Sequence, residues 1–149
     1  MSDKEIAKEL KRLRPSVDEN MLQKLASVER GRANTLNDFL DKGEFFFELP
    51  DYEPELLIWK EASREETKAA LESAHGELGE LNEEEFERES ISKAVTAVIG
   101  KREKRGVALW PLRVAVSGQR ASPDPVDIMA VLGKHESLAR IEKAIKKLV

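Results

Sequence analysis

The stretch from Leu109 to Lys134, LWPLRVAVSGQRASPDPVDIMAVLGK, decides how this chain folds. It sets Pro111, Gly118, Pro123, Pro125 and Gly133 between short apolar runs, directly after the basic cluster Lys101, Arg102, Lys104, Arg105. Val107, Leu109, Val114 and Val116 fall into an alternation that would suit a strand. A lone strand has no ladder partner in a chain whose other segments read as helix, so the helical reading is preferred. Pro111 then opens a short helix, Leu112 to Ser117, closed by Gly118. Ser122-Pro123 reads as an N-cap with proline at the first helical position. The helix that follows carries Val126, Met129, Val131 and Leu132 and stops at Gly133.

Working outward, the N-terminal side is a string of capped helices. Ser2 and Glu5 have the form of a capping box, with Ile6, Leu10 and Leu13 following at helical spacing. Pro15 ends that helix. Ser16 with Glu19 reads as a second box, opening a helix with Met21, Leu22, Leu25 and Val28 on one face. Gly31 kinks or ends it. Arg32 to Leu40 reads as a further helix stopped at Lys42-Gly43, and Phe45, Phe46 and Phe47 as an apolar plug at a helix junction. Pro54 begins a short helix. Ser63 with Glu66 forms a third box, ahead of Ala70, Leu71 and Ala74, with Leu78 and Leu81 flanking Gly79 in a turn. Asn82 with Glu85 opens a helix through Phe86, Ser90, Ala94, Ala97 and Val98 to Gly100. The last helix places Leu138, Ile141, Ala144, Ile145 and Leu148 on one face, with Arg140, Lys143, Lys146 and Lys147 elsewhere. The pattern predicts an all-α fold.

Composition narrows the chemistry. A chain of 149 residues, 40% apolar and 36% charged, has the makings of a helical globule. Cysteine is absent, which excludes disulfides and thiolate metal sites. No apolar run approaches the roughly 20 residues that span a bilayer, nor is there a signal-peptide-like apolar segment, so the expected compartment is the cytoplasm. Charge is unevenly placed: residues 1–43 carry a net +1, residues 44–90 carry −12 and residues 91–149 carry +7. A basic C-terminal third suits a polyanion that the acidic middle would repel.

Catalytic signatures are missing. His75 and His135 are far apart in polar helical settings and read as surface residues. The run Glu83 to Glu89 points its carboxylates in several directions and reads as a solvated helix rather than a metal site. The basic residues are more informative. Arg113, Arg120 and the cluster at 101–105 flank turns, and arginine suits bidentate contact with phosphates and exposed base edges. Single-stranded RNA loops offer both. A helical protein-interaction module, using the acidic middle as its contact face, is the competing reading.

The segment GVALWPLRVAVSGQRASPDPVDIMAVLGKHESLARIEKAIKKL, residues 106–148, resembles the C-terminal end of bacterial-type glutamyl-tRNA synthetases. It follows the family's order of Pro-Leu-Arg, a small-residue helix, Ser/Thr-Gly, a proline turn, Leu-Gly-Lys, then Arg-Ile and an apolar helix. Gly31-Arg32-Ala33-Asn34-Thr35-Leu36 with the downstream Phe45-Phe46-Phe47 is similar to the family's Arg-x-x-Thr-Leu and aromatic cluster. The resemblance implies an all-α anticodon-binding region of two helical subdomains, residues 1–50 and 51–149. It implies tRNA(Glu) as partner, with tRNA(Gln) as a second candidate, and the catalytic domain of the same enzyme beside it in a monomer. It makes Arg113 the leading anticodon contact, with the turn Pro123, Asp124, Pro125, Val126 against the bases. Arg32 is the candidate of the first subdomain, and Arg120, Lys101, Arg102, Lys104 and Arg105 are further RNA contacts. The chain departs from the family at Pro125, where a longer apolar residue is usual. The family's His-Ile-Gly-His-like and Lys-Met-Ser-Lys-like signatures are not in this sequence. The expectation is therefore a piece of a longer ligase, without catalytic residues or cofactors of its own, ATP and Mg belonging to the catalytic domain.

Overall fold

The computed structural model describes residues 2–31, 33–102 and 104–149. Eight α-helices and two 3₁₀ turns make up these residues, with no strand among them, so the chain is all-α. None of these helices is long and apolar enough to cross a membrane. The chain divides into two compact units, residues 1–48 and 49–149.

The first unit is built from α1 (Asp3–Leu13), α2 (Glu19–Glu29) and α3 (Leu36–Phe47). Its opening cap forms as the sequence predicts: the Ser2 hydroxyl accepts from the Glu5 N–H while the Glu5 carboxylate accepts from the Ser2 N–H. The second box does not form. Asp18 caps α2 instead, accepting from the Asn20 N–H at 3.0 Å, because a carboxylate two residues before that donor already satisfies the helix start. The buried faces are Ile6, Ala7 and Leu10 on α1 and Leu22, Leu25, Ala26 and Glu29 on α2. Leu13, expected on the apolar face, is exposed.

The largest departure in this unit is α3. Thr35 caps it, and the helix runs straight through Lys42 and Gly43, so the three phenylalanines lie in its last turn rather than in a separate plug. Gly43 allows this: a Cβ there would stand 2.9 Å from Leu25 Cδ1, so the bare backbone of α3 takes the close contact with α2. Phe39, Phe45 and Phe46 are buried.

The second unit opens with a 3₁₀ turn at Pro54–Leu57 and α4 (Arg64–Gly79), whose Ser63–Glu66 box is present. Leu78 belongs to this helix and is fully buried, not part of a turn. Asn82 and Glu85 do cap one another, but only over the 3₁₀ turn Glu83–Glu85. The chain then extends at Glu87, with φ −133° and ψ 166°, so α5 (Arg88–Ile99) is a separate helix ending at Gly100. After it come α6 (Gly106–Ser117), α7 (Pro125–Leu132) and α8 (Lys134–Lys147).

Helix α6 is the axis of this unit, packing against α4, α5, α7, α8 and the first 3₁₀ turn. It does not begin at Pro111, as the turn chemistry suggests, but five residues earlier, with Pro111 buried inside it. An interior proline removes one helical hydrogen bond and costs about 3 kcal/mol. Burial of Ala108, Leu112, Val114, Ala115 and Val116, at roughly 25 cal/mol per Å² of apolar surface, offsets that cost. Gly118 ends α6 in the left-handed conformation, φ 69°, donating to the Val114 carbonyl. Helix α7 starts later than Ser122-Pro123 suggests: Asp124 is the cap and Pro125 the first helical residue. The buried face of α8 comprises Ser137, Arg140, Ile141 and Ala144, so Arg140 lies inside and not among the solvated cations.

Tyr52 gives this unit an alkaline weak point. Its ring lies under the Lys147 ammonium, 4.6 Å from the centroid, and its hydroxyl finds no hydrogen-bond partner among the described residues. Burial, reinforced by the Asp51 charge, pushes its pKa from 10.0 up to about 12. Below pH 10.0 both folded and unfolded chains keep this proton; between there and about 12 only the folded chain does, so stability falls as pH rises through that window. Tyr52→Phe is expected to flatten that decline. At pH 7 it should raise stability by about 1 kcal/mol, since removing an unpaired buried hydroxyl relieves its desolvation. Thermal melts at pH 7 and across the alkaline range check both.

Candidate nucleic-acid interface

Residues 118–124 leave the C-terminal end of α6 and are held from below by one arginine. Arg113, in the penultimate turn of α6, is half-buried and donates from Nη1 to the Ser122 carbonyl at 2.7 Å. The same nitrogen reaches Ser122 Oγ at 3.4 Å and the Pro123 carbonyl at 3.5 Å. These are all of its hydrogen bonds among the described residues. The Ser117 hydroxyl donates to the Arg113 carbonyl at 2.7 Å and accepts from the Gln119 N–H at 3.1 Å, closing the start of the loop. Ser122 Oγ donates to the Pro123 carbonyl at 2.9 Å, and Asp124 accepts from the Val126 N–H at 2.8 Å, closing its end. The loop is thus tied at its start through Ser117 and at its end through Arg113, Ser122 and Asp124.

Arg113 does not pair with Asp127, whose carboxylate is taken by Arg88 at 2.6 Å. A second buried cation supports the same helix end: Arg140 donates to the Val116 carbonyl at 2.7 Å and to Glu136 at 3.2 Å.

Of the residues singled out from sequence, Arg113, Pro123 and Asp124 come together at this loop. Pro125 is buried as the first residue of α7. Val126 and Asp124 line a shallow depression with Arg88, Glu89, Ser92 and Lys93. Arg120 is exposed in the loop and lines another, beside Trp110, Trp59 and Lys60. Lys101, Arg102 and Lys104 line a separate cleft of about 740 Å³. Arg105 is exposed at the start of α6. Arg32 lies outside the described residues.

The sequence reading passed over both tryptophans of the chain. Trp110 sits one helical turn from Arg113 and donates from its indole N–H to the Leu56 carbonyl at 2.8 Å. Trp59 lines both the Arg120 depression and the basic cleft. The signal was available: two tryptophans in a chain otherwise poor in aromatics, Trp59 next to Lys60 and Trp110 four residues past Gly106, where the helix after the basic cluster starts. The described residues hold no group of three or more His, Asp or Glu side chains arranged for a metal ion.

Comparison with known proteins places this architecture. A family model described as an anticodon binding domain matches residues 5–145. The glutamate–tRNA ligase of Clostridium kluyveri is 35% identical over 129 residues, which is 84% of this chain and 26% of the relative. That of Clostridium tetani is 32% identical over 131 residues, covering 85% of this chain and 26% of its own length. The chain therefore spans about a quarter of the curated relatives it matches. Among solved structures, a glutamate tRNA ligase from Elizabethkingia meningosepticum, in complex with its amino acid, superposes with a TM-score of 0.85 at 26% identity. The match covers 100% of this chain and 30% of that one. The glutamate-tRNA synthetase of Elizabethkingia anophelis gives 0.77 at 25% identity, over 98% of this chain and 29% of its own. With the family match running through nearly every helix described above, the chain belongs to the anticodon binding domain family.

Proposed function

We propose that this chain is the anticodon-binding part of a glutamate–tRNA ligase and recognises the anticodon loop of tRNA(Glu). The observation that carries this reading is the Arg113-held loop at the end of α6, set within a fold that matches the anticodon binding domain family over residues 5–145. The work done here is positioning. A loop tied at Ser117, Ser122 and Asp124 presents a fixed surface to splayed bases, so little ordering entropy is lost when RNA binds. ATP and Mg belong to the catalytic domain that would join this part in the cytoplasm, and the chain itself carries no cofactor.

Arg113 has two parts in this mechanism. Its Nη1 holds Ser122 and Pro123 in place, and the guanidinium nitrogens that make no hydrogen bond among the described residues are the donors a base edge would take. Arg113→Ala should cost about 1–3 kcal/mol of discrimination between the tRNA(Glu) anticodon and a changed one. Titrating the whole chain with anticodon stem-loops of tRNA(Glu), tRNA(Gln) and a permuted loop checks this. Selective binding that weakens with added salt and loses selectivity in the variant supports the proposal. Equal affinity for all three loops overturns it, and salt-insensitive binding points to a protein-interaction module instead.

A further inference from the structure

We propose that Trp59 and Lys60, together with Lys101, Arg102 and Lys104, form a second RNA seat that holds a backbone phosphate and its adjoining base outside the anticodon turn. This rests on the RNA-binding reading and adds a site to it.

Four observations converge on this corner. First, Trp59 lies flat on the start of α6: a Cβ at Gly106 would stand 2.2 Å from Trp59 Cε2 and 2.6 Å from Cδ2. Only glycine leaves room for the ring there, and the ring remains half-exposed. Second, Lys60 adopts a left-handed backbone, φ 48°, the only non-glycine residue to do so among those described. For a side chain with a Cβ that conformation costs on the order of 1 kcal/mol, and glycine would take it without strain. Third, the Lys60 ammonium sits over the Trp59 ring, 4.6 Å from its centroid, so in the proposed seat a base takes its place on the ring as the exposed lysine swings to the adjoining phosphate. Fourth, the cleft these two residues enter is rimmed by Lys101, Arg102 and Lys104 and floored by Ala62 and Val107.

Among the described residues, Glu61 and Glu66 are the carboxylates that line the cleft, against four cations. Glu66 is occupied in the Ser63 cap, accepting from the Ser63 N–H at 3.2 Å. Arg102 donates to the Val98 carbonyl at 3.0 Å, which orients it, while Lys101 reaches only the half-exposed Glu77 at 3.4 Å. Both lysines are exposed and able to turn toward a phosphate. Trp59 and Lys60 also line the neighbouring depression with Trp110 and Arg120. Arg120 belongs to the loop that Arg113 holds, so the corner stands between the basic cleft and the anticodon turn. Aromatic faces with lysine charges recognise single-stranded RNA independently of base identity, since every base has a π face and every nucleotide a phosphate.

The seat and the anticodon turn are separable by what each reads. With the whole chain and the tRNA(Glu) anticodon stem-loop, the double variant Lys101→Ala, Lys104→Ala should reduce the slope of log K against log salt by ~0.7, one phosphate contact in a single strand. Selectivity among anticodons should be unchanged. Lys60→Gly should be at least as heat-stable as the parent yet bind RNA several-fold more weakly. In Trp110→Phe, Trp59 is the sole tryptophan, and RNA should quench its fluorescence. If the parent selects its anticodon while the slope and the Trp59 emission stay as they were, the seat is wrong and the anticodon reading stands. Non-selective binding with the reduced slope keeps the seat and overturns the anticodon reading. Absence of any RNA binding overturns both.

Discussion

Arg140→Met should lower the unfolding free energy by about 2–4 kcal/mol, a large share of what a domain of this size has. Arg140 is only 3% exposed and donates from Nη1 to the Val116 carbonyl at 2.7 Å. Val116 is in the last turn of α6, where helical carbonyls have no partner within the helix. Methionine fills much of the same volume but donates nothing, so the carbonyl stays buried and unpaired. A charged hydrogen bond is lost as well. Burial pulls the arginine's pKa down, and the bond and charge of Glu136 oppose that, so the cation is held by groups on α8 and α6 together. Glu136 is half-exposed and can turn to water, which keeps the loss below that of a fully buried ion pair. Arg140→Lys should lose less than Arg140→Met, since an ammonium keeps the charge but not the planar two-nitrogen reach. Urea unfolding of the three proteins measures this; a methionine variant within about 0.5 kcal/mol of the parent would show that the Val116 bond carries no net weight.

Gly118→Ala should cost a similar amount, about 2–4 kcal/mol, for a different reason. Gly118 sits at φ 69°, where alanine's Cβ crowds the following carbonyl at about 1–2 kcal/mol. Independently, a Cβ there would stand 2.8 Å from the Pro50 carbonyl oxygen and 3.0 Å from Pro50 Cδ. Backbone and a proline ring cannot swing aside as a long side chain can, so the chain must shift at the point where α6 hands over to the Arg113-held loop. Gly118→Asn separates the two parts: asparagine tolerates the left-handed conformation better but brings the same Cβ. Its loss, read by the same urea titration, should fall between parent and alanine. Equal stability of all three would mean that Pro50 has room to retreat. Because Gly118 opens the loop, Gly118→Ala should also weaken RNA binding more than its stability loss alone accounts for.

Local chemistry was readable one element at a time. The Ser2 and Ser63 boxes form as their spacing dictates, because each is closed by groups three residues apart and needs nothing from the rest of the fold. Gly118 closes α6 for the same reason. Where two local signals competed, the reading slipped: Asp18 outbid Ser16, and Asp124 outbid Ser122, each a carboxylate standing nearer the first free N–H groups. At the loop proposed to meet RNA, the Pro-Leu-Arg pattern drew attention to Arg113 and the proline turn, and the structure brings them together. Trp59 and Lys60 were not legible, since their meaning comes from Gly106, Lys101 and Lys104, more than forty residues away.

What the sequence determined by itself is the all-α class, the capped starts of α1 and α4 and the charge imbalance that favours a polyanion. These follow from periodicity, from contacts within one helical turn and from counting. Only the tertiary structure decided that α6 runs through Pro111, that α3 runs through Gly43 to carry its phenylalanines, and that Arg140 turns inward. In each case a residue that breaks or resists local order is overruled by neighbours that bury it. A buried helix recovers through packing on several sides what it loses at one backbone bond, and a buried cation is held by a carbonyl that no local pattern announces.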